Sequence, residues 1–243
     1  MSKYALITGG TKGIGFSVAQ RLAEKGYNLL LTYNTDTIIA QKSSSELRSK
    51  FPDIDAVALQ ADSSDKKSID IIEHHIGNRD IRIDVIVFNA GITCRDGFED
   101  MKLNDWERVF FANVHFPTFL LQRLLGRINK GGSVVFTGSL MGILPHATSL
   151  SYGVTKTATH ALVKNLVKVL VPYGIRVNGV APGFVDTEWQ KNKPAEIRRN
   201  IESKIALGRF CDPDELSEVY KLLIENPYIN GEIIVADGGY SYK

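Results

Sequence analysis

Ser139, Tyr152 and Lys156 are the side chains of this 243-residue sequence whose types and spacing most directly suggest chemistry. Tyr152 and Lys156 stand four apart, at the start of a stretch (154–171) with apolar residues at Val154, Ala158, Ala161, Leu162, Leu166, Val169 and Leu170. That spacing predicts a helix, and residues four apart on a helix share a face. An ammonium held beside a phenol favours the phenolate, so Lys156 is expected to lower the Tyr152 pKa from its ordinary value near ~10. A tyrosine tuned toward neutrality can pass a proton to or from a substrate oxygen. Ser139, upstream at the end of an apolar run, could hydrogen-bond that same oxygen. Alone, such a pair is far more often two surface residues on an amphipathic helix, so the surrounding elements decide its meaning.

Residues 3–8 (KYALIT) read as a short apolar strand, followed by GGTKGIG and a helical pattern through FSVAQRLAEKG. Strand, glycine-rich turn and helix together suggest a phosphate site, because small residues let the backbone approach and a helix N-terminus offers free N–H groups. A P-loop is excluded by the missing G-K-[ST] ending, and the glycines at 9, 13 and 15 do not keep the GxGxxG spacing. They spell T-G-x-x-x-G-x-G, as Thr8-Gly9-Gly10-Thr11-Lys12-Gly13-Ile14-Gly15. YNLLLTY (27–33) closes a first βαβ unit. An NAD site usually places Asp or Glu ~20 residues beyond the glycines, on the ribose 2′-hydroxyl. Here the strand ends Thr32-Tyr33-Asn34, with no acid until Asp36, while Lys12 puts a positive charge in the glycine turn. Together these favour a 2′-phosphate and hence NADP(H), leaving NAD(H) open.

Further strands are predicted at 54–60, 83–88, 133–137, 175–180 and 232–235, with helices at about 36–50, 65–77, 103–128, 153–171 and 213–224. Strict alternation, with strands apolar throughout, predicts an α/β fold: a doubly wound parallel sheet of about seven strands with helices on both faces. Small or polar residues mark three strand ends, Asp62-Ser63, Asn89-Ala90-Gly91 and Gly138-Ser139, where ligands gather in open α/β sheets. Pro117, inside FPTFLLQRLL, is expected to kink or restart its helix.

Composition excludes several classes. Basic and acidic side chains number 29 and 27, a balance that argues against nucleic acid or an anionic membrane as main partner. No run approaches the ~18 apolar residues of a membrane span. Cys94 and Cys211 stand far apart in no metal or redox spacing, and the N-terminus enters a strand at once, so a reduced cytoplasmic setting without a signal peptide is expected. No metal site is expected, and His74, His75, His115 and His160 show no ligand spacing. The whole chain, 1–243, reads as one domain.

With these motifs in order, the chain resembles the short-chain dehydrogenases/reductases over essentially its whole length. The family's glycine turn matches 8–15, its Asn-Ala-Gly 89–91, its helix asparagine Asn113, its serine Ser139 and its Y-x-x-x-K Tyr152 and Lys156. Its Pro-Gly turn matches Pro182-Gly183, and the threonine that meets the nicotinamide carboxamide matches Thr187. The resemblance implies that Gly9, Thr11, Lys12, Gly13, Ile14, Gly15, Asn34, Asp62, Ser63, Asn89, Ala90, Gly91, Pro182, Gly183, Val185 and Thr187 hold the cofactor, with Tyr152 and Lys156. It further implies hydride transfer between nicotinamide C4 and a carbonyl or carbinol carbon. Tyr152 would be the acid/base, Lys156 would lower its pKa and bind the nicotinamide ribose, Ser139 would orient the substrate oxygen, and Asn113 would hold a water in a relay to Lys156.

Within the family, NAGIT (89–93), PGFVDTE (182–188), LGRFCDPDEL (207–216) and INGEIIVADGGY (229–240) look most like 3-oxoacyl-[acyl carrier protein] reductases. Reductases that dock the acyl carrier protein tend to carry a basic residue just before the Gly of the GIRVN stretch. Here it is Tyr173, which weakens that partner; Lys130 is either a surviving basic contact or a solvated lysine. Residues 184–207, charged and broken by Pro194, would be a lid over the substrate, with Trp189 as an apolar contact. His146 falls where the substrate pocket lies, as a contact or as an exposed loop residue. The resemblance also implies a homotetramer, consistent with the apolar run Phe119, Leu120, Leu121, Leu124, Leu125. Alternatives are a non-catalytic NAD(P)-binding regulator, a reductase of other ketones, sugars or steroids, and an epimerase or dehydratase of sugar nucleotides. Regulators of this type usually lack the Tyr or Lys, and the sugar-nucleotide enzymes are commonly longer.

Overall fold

The computed structural model describes residues 2–145 and 149–243. The first half runs β1 (Lys3–Thr8), α1 (Gly13–Glu24), β2 (Tyr27–Tyr33), α2 (Thr37–Lys50), β3 (Ala56–Gln60), α3 (Lys67–Asn78) and β4 (Ile83–Phe88). The second runs α4 (Leu103–Phe110), α5 (Phe116–Leu124), β5 (Ile128–Thr137), α6 (Leu150–Leu170), β6 (Arg176–Pro182), α7 (Glu188–Lys191), α8 (Ala195–Lys204), α9 (Pro213–Glu225) and β7 (Ile233–Ala236). The strands form one seven-stranded sheet in the order β3-β2-β1-β4-β5-β6-β7, and every adjacent pair is parallel.

Successive side chains of a strand point to opposite faces, which explains why the central strands are apolar without alternation. Leu6, Leu30, Ile86 and Phe136 face α3, α5 and α6, packing with Ile72, Leu120 and Val163. Their neighbours Ala5, Ile7, Leu31, Val87 and Val135 face the other way, onto Val18 and Leu22 of α1 and Leu216 and Tyr220 of α9. Both faces are therefore closed by helices, as the doubly wound reading requires. The direction of strand order reverses between β1 and β4, and a crevice opens there beyond the carboxyl ends of the strands.

Two elements depart from expectation. The fifth strand starts at Ile128 rather than 133, and its register with β4 shifts between the pairs Ile83–Ile128 and Val85–Ser133. The helix expected over 103–128 is broken. A π-turn, Phe111–His115, separates α4 from α5, and a 3₁₀ turn, Leu125–Arg127, follows. Pro117 has no N–H to offer the carbonyl of Asn113, which accepts instead from Thr159 Oγ1 at 3.4 Å. Asn113 thus lies in a widened turn, a place where π-geometry often accompanies function. Leu120, Leu121 and Leu124 are buried in the subunit's own core, so the apolar run of α5 does not need a second chain to cover it; Phe119 alone of that run is half exposed, at 50%.

Candidate active site

The glycine turn joins β1 to α1 at the carboxyl edge of the sheet. Gly9 and Gly13 take positive φ (62° and 54°), and a side chain on Gly15 would sit 2.3 Å from the Gly9 carbonyl oxygen. The turn therefore needs its glycines for backbone conformation and close approach. Thr32 fixes it from β2, accepting from Gly9 N through Oγ1 and from Gly10 N through its carbonyl, both at 3.1 Å. Asn89 fixes it from β4, its Nδ2 donating to the carbonyls of Thr8 (3.2 Å) and Gly9 (3.1 Å). Lys12, exposed at the N-cap of α1, makes no side-chain cap, so the first amides of that helix face the crevice without a side-chain acceptor.

A cavity of about 760 Å³ runs from this turn to the catalytic candidates. Every expected cofactor residue lines it except Gly15, which lies beneath the turn. Asp36 also reaches the cavity, but its carboxylate caps α2, accepting from Ile39 N at 3.1 Å. Thr187 stands over the turn, its Cγ2 being 3.2 Å from where a side chain on Gly13 would begin.

Ser139, Tyr152 and Lys156 meet at the far end of the cavity. Ser139 starts the 3₁₀ turn Leu140–Gly142, its hydroxyl accepting from Met141 N at 3.1 Å. Tyr152 and Lys156 lie in the first two turns of α6, as their spacing predicts. Lys156 is buried and donates to the Thr137 carbonyl at 2.6 Å, and burial lowers its pKa to about 8. Its Nζ lies 5.4 Å from the centre of the Tyr152 ring. The expected lowering of the Tyr152 pKa is corrected here: burial pushes the phenol up, and only the hydrogen bond with Ser139 opposes it. The ammonium is directed at a backbone carbonyl rather than at the phenol oxygen, so desolvation dominates.

Asn113 is not on the cavity surface. Its amide clamps Ile92, accepting from Ile92 N at 2.9 Å and donating to Ile92 O at 3.0 Å, and donates to Thr155 Oγ1 at 2.9 Å. A side chain on Gly91 would contact both Asn113 Oδ1 (3.2 Å) and Lys156 Nζ (3.5 Å), so this glycine lets the loop after β4 pass between them. One residue to which the sequence reading gave no role belongs here. His160, one turn beyond Lys156, accepts from Ser139 N through Nε2 at 3.3 Å. Burial, then the charges of Lys156 and Lys164, lowers its pKa to about 4, so the ring is neutral. The signal was available: position 160 continues the Tyr152–Lys156 face, and Gly138 and Gly142 leave room for a ring around Ser139.

The segment 184–207 forms α7 and α8 on either side of Pro194. Trp189, Ile197 and Ile201 from it line the cavity, and the Trp189 ring stands 6.0 Å from that of Tyr152. His146 lies outside the described residues.

A phenol, a hydroxyl and a buried ammonium converge at one end of a long cavity, with uncapped amides at the other. That arrangement can hold an elongated anionic ligand and move a proton beside it. Comparison with known proteins agrees. Residues 9–241 match a family model described as enoyl-(acyl carrier protein) reductase. The chain is 37% identical to the uncharacterized oxidoreductase YmfI of Bacillus subtilis, over 99% of both chains. It is 33% identical to a 3-oxoacyl-[acyl-carrier-protein] reductase of Aquifex aeolicus, over 98% of this chain and 96% of that one. A short-chain dehydrogenase of Burkholderia cenocepacia, solved in complex with NADP, superposes with a TM-score of 0.91 at 28% identity, covering 98% of each chain.

Proposed function

Because the chain belongs to the short-chain dehydrogenase/reductase family of oxidoreductases, we propose that it interconverts a carbonyl and an alcohol with NADP(H), a 3-oxoacyl thioester being the carbonyl tested first. The observation that carries this reading is the meeting of Ser139, Tyr152 and Lys156 at the end of the cavity that begins at the glycine turn. The residues fit a dinucleotide. Uncapped amides of α1 suit its pyrophosphate, and Lys12 with Asn34 suits a 2′-phosphate where an acid would serve NAD. Asp62 and Ser63 would border the adenine, Asn89–Gly91 and Pro182–Thr187 the nicotinamide half. When bound, the nicotinamide supplies or accepts the hydride.

The chain's own groups handle the oxygen. In reduction, Tyr152 gives its proton to the substrate oxygen as that oxygen gains negative charge, and a raised phenol pKa keeps the proton available until then. The Ser139 hydroxyl donates to the same oxygen, fixing its position and stabilising the developing charge. Lys156, still largely protonated below pH 8, stabilises the tyrosinate left behind. Asn113 holds the Ile92 loop beside Lys156. The segment 184–207 would close over the substrate, Trp189 covering the phenol.

Support for the thioester comes from the Aquifex relative's activity, and the acyl-carrier partner remains weakened by Tyr173. Lys130 packs its stem against Gly174, 2.8 Å from where a side chain there would begin. The test is to incubate purified protein with NADPH or NADH and a panel of 3-oxoacyl thioesters, enoyl thioesters and simple ketones, following loss of reduced-cofactor absorbance. Carbonyl-dependent oxidation, fastest with NADPH, is expected. Turnover of the enoyl thioesters alone would overturn the assignment to carbonyl chemistry, and cofactor binding without any turnover would favour a regulator.

A further inference from the structure

The substrate end of the cavity carries positive charge that the chemistry above does not use. Arg95, on the loop after β4, and Lys193, between α7 and α8, line the same cavity as Tyr152. They are near enough that the charge of Arg95, after burial, disfavours the Lys193 ammonium. Nearby acids are committed elsewhere. Asp186 pairs with Arg198 at 3.0 Å, Glu188, the one acid of this group in the lining, pairs with Lys191 at 3.8 Å, and Asp96 accepts from the Cys94 thiol at 3.3 Å. Among the described residues neither Arg95 nor Lys193 has a carboxylate within ion-pair distance. Lys204 adds a third cation to the lining.

Two further observations point to a ligand. The Gln190 amide, also in the lining, buries its Oε1 with no hydrogen-bond partner among the described residues. Since amide oxygen and nitrogen exchange by a half-turn, that end can donate as well as accept. Beside these polar groups Trp189, Ile197 and Ile201 form an apolar wall. Arg95 is exposed and Lys193 half-buried, and two like charges lining one cavity favour an anion between them. Arginine in particular binds carboxylate or phosphate through two parallel hydrogen bonds.

We propose that the substrate bears an anionic group, a carboxylate or a phosphate, held by Arg95 and Lys193 while its carbonyl lies against Ser139 and Tyr152. The inference rests on the carbonyl-reductase reading and narrows it. Neutral ketones, sugars and steroids become poor substrates, and the apolar wall takes the chain linking carbonyl to anion.

Two matched pairs separate the anion's sources: 4-oxopentanoate with its methyl ester, and 3-oxobutanoyl-4′-phosphopantetheine with 3-oxobutanoyl-pantetheine. In the wild type, kcat/KM should favour the anionic member of at least one pair by tenfold or more, about 1.4 kcal/mol. Arg95→Gln and Lys193→Gln should each reduce that preference severalfold, and the double variant should abolish it. Preference in the first pair names a carboxylate, in the second a phosphate. Equal kcat/KM within both pairs, or a preference unchanged in the double variant, overturns the proposal. A rise in NADPH KM that accompanies equal losses on both members overturns it too, by assigning the cations to the cofactor. If no member of either pair is turned over while other carbonyls of the panel are, the inference alone falls; if no carbonyl at all is turned over while NADPH still binds, the carbonyl-reductase reading falls and this inference with it.

Discussion

The backbone N–H of Ser139 donates to Nε2 of His160, 3.3 Å away on the same helix that carries Tyr152 and Lys156. This bond ties the loop holding the serine to the helix holding the acid/base, beside the bond from Thr157 Oγ1 to the Gly142 carbonyl at 2.9 Å. A side chain on Gly138 would collide with that ring, its first carbon lying 2.1 Å from Nε2. The bond requires a lone pair on Nε2, which assigns the ring proton to Nδ1.

His160 is therefore expected to be a positioning residue. Leucine in its place leaves the Ser139 amide buried and unpaired, which typically costs ~1–3 kcal/mol. His160→Leu should lower kcat about tenfold with little change in cofactor affinity, since about 1.4 kcal/mol is a factor of ten. His160→Gln, which can still accept, should recover much of the loss. The pH dependence of stability gives an independent sign. The folded pKa, about 4, lies below the ordinary 6.5, so the neutral ring's contribution is present above 6.5 and lost as pH falls through 4. Thermal melts from pH 7 to 4.5 should thus show the wild type losing its advantage over the leucine variant. A constant gap would remove the neutral ring from the account.

How much of this could be read from the sequence depends on whether the cause is local. β1, β2 and β4 were legible because strands buried on both faces must be apolar throughout, and their ends then located Gly9, Asn34 and Asn89 at one edge. The start of β5 was not, since Asn129–Gly132 is polar and glycine-rich and is held by non-local contacts, the pairing with β4 and the bond from Gly131 N to the Gly174 carbonyl at 2.8 Å. Pro117 announced a break, but not the π-turn around Asn113, whose carbonyl accepts a long bond, 3.4 Å, from Thr159 of another helix. Likewise the Tyr152–Lys156 spacing placed both groups correctly and misjudged their electrostatics. Desolvation and the Thr137 carbonyl belong to the folded site and leave no mark in a four-residue motif.

Removing only the phenol oxygen tests Tyr152. Tyr152→Phe should lower kcat by the ~10²–10⁴-fold typical of general acid–base catalysis, while NADPH still binds. A variant retaining more than about a tenth of wild-type kcat would need another proton donor, and Tyr152 would lose that role.

Lys156 should cost stability while serving catalysis. Its folded pKa, about 8, lies below the ordinary 10.5. Burial therefore disfavours the charged form, and stability falls as pH drops from 10.5 through 8. At pH 7 the penalty is about 3 kcal/mol by the size of the shift, partly offset by roughly 1 kcal/mol for the bond to Thr137. Lys156→Met should abolish turnover and yet melt higher than wild type at pH 7, the difference shrinking toward pH 10. A variant less stable at pH 7 would mean that the Thr137 bond outweighs desolvation.

Lys12 is exposed at the mouth of the turn, whereas Asp36 has its carboxylate on the start of α2. NADPH should accordingly bind more tightly than NADH, and Lys12→Ala should narrow the gap by about tenfold, as losing one charge-assisted contact would. Calorimetric titration of both cofactors against both proteins measures this directly. Equal affinities in the wild type, or an unchanged ratio in the variant, would take the 2′-phosphate away from Lys12.

Assembly is the remaining expectation, and the surface supports it by a different route from the α5 sequence. Among the described residues β7 is an edge strand, paired only with β6, and exposes Val235 (44%) with Tyr228 (96%) and Tyr242 (93%) nearby in the chain. An apolar edge of this kind invites pairing unless something covers it. Further exposed apolar side chains stand on the helices, Leu103 at the start of α4, Phe119 on α5, and Leu150 and Val154 on α6, and α4 packs against α6. One self-complementary patch closes a dimer, whereas two patches on different elements generate two axes and four copies. Size exclusion with light scattering should therefore give the mass of four 26.9 kDa chains. Val235→Lys, which puts a charge on the edge strand without touching the core, should halve that mass and leave the α4–α6 dimer. A wild-type protein with the mass of one chain at micromolar concentration would sink the assembly, and a tetramer indifferent to Val235→Lys would move the second axis away from β7.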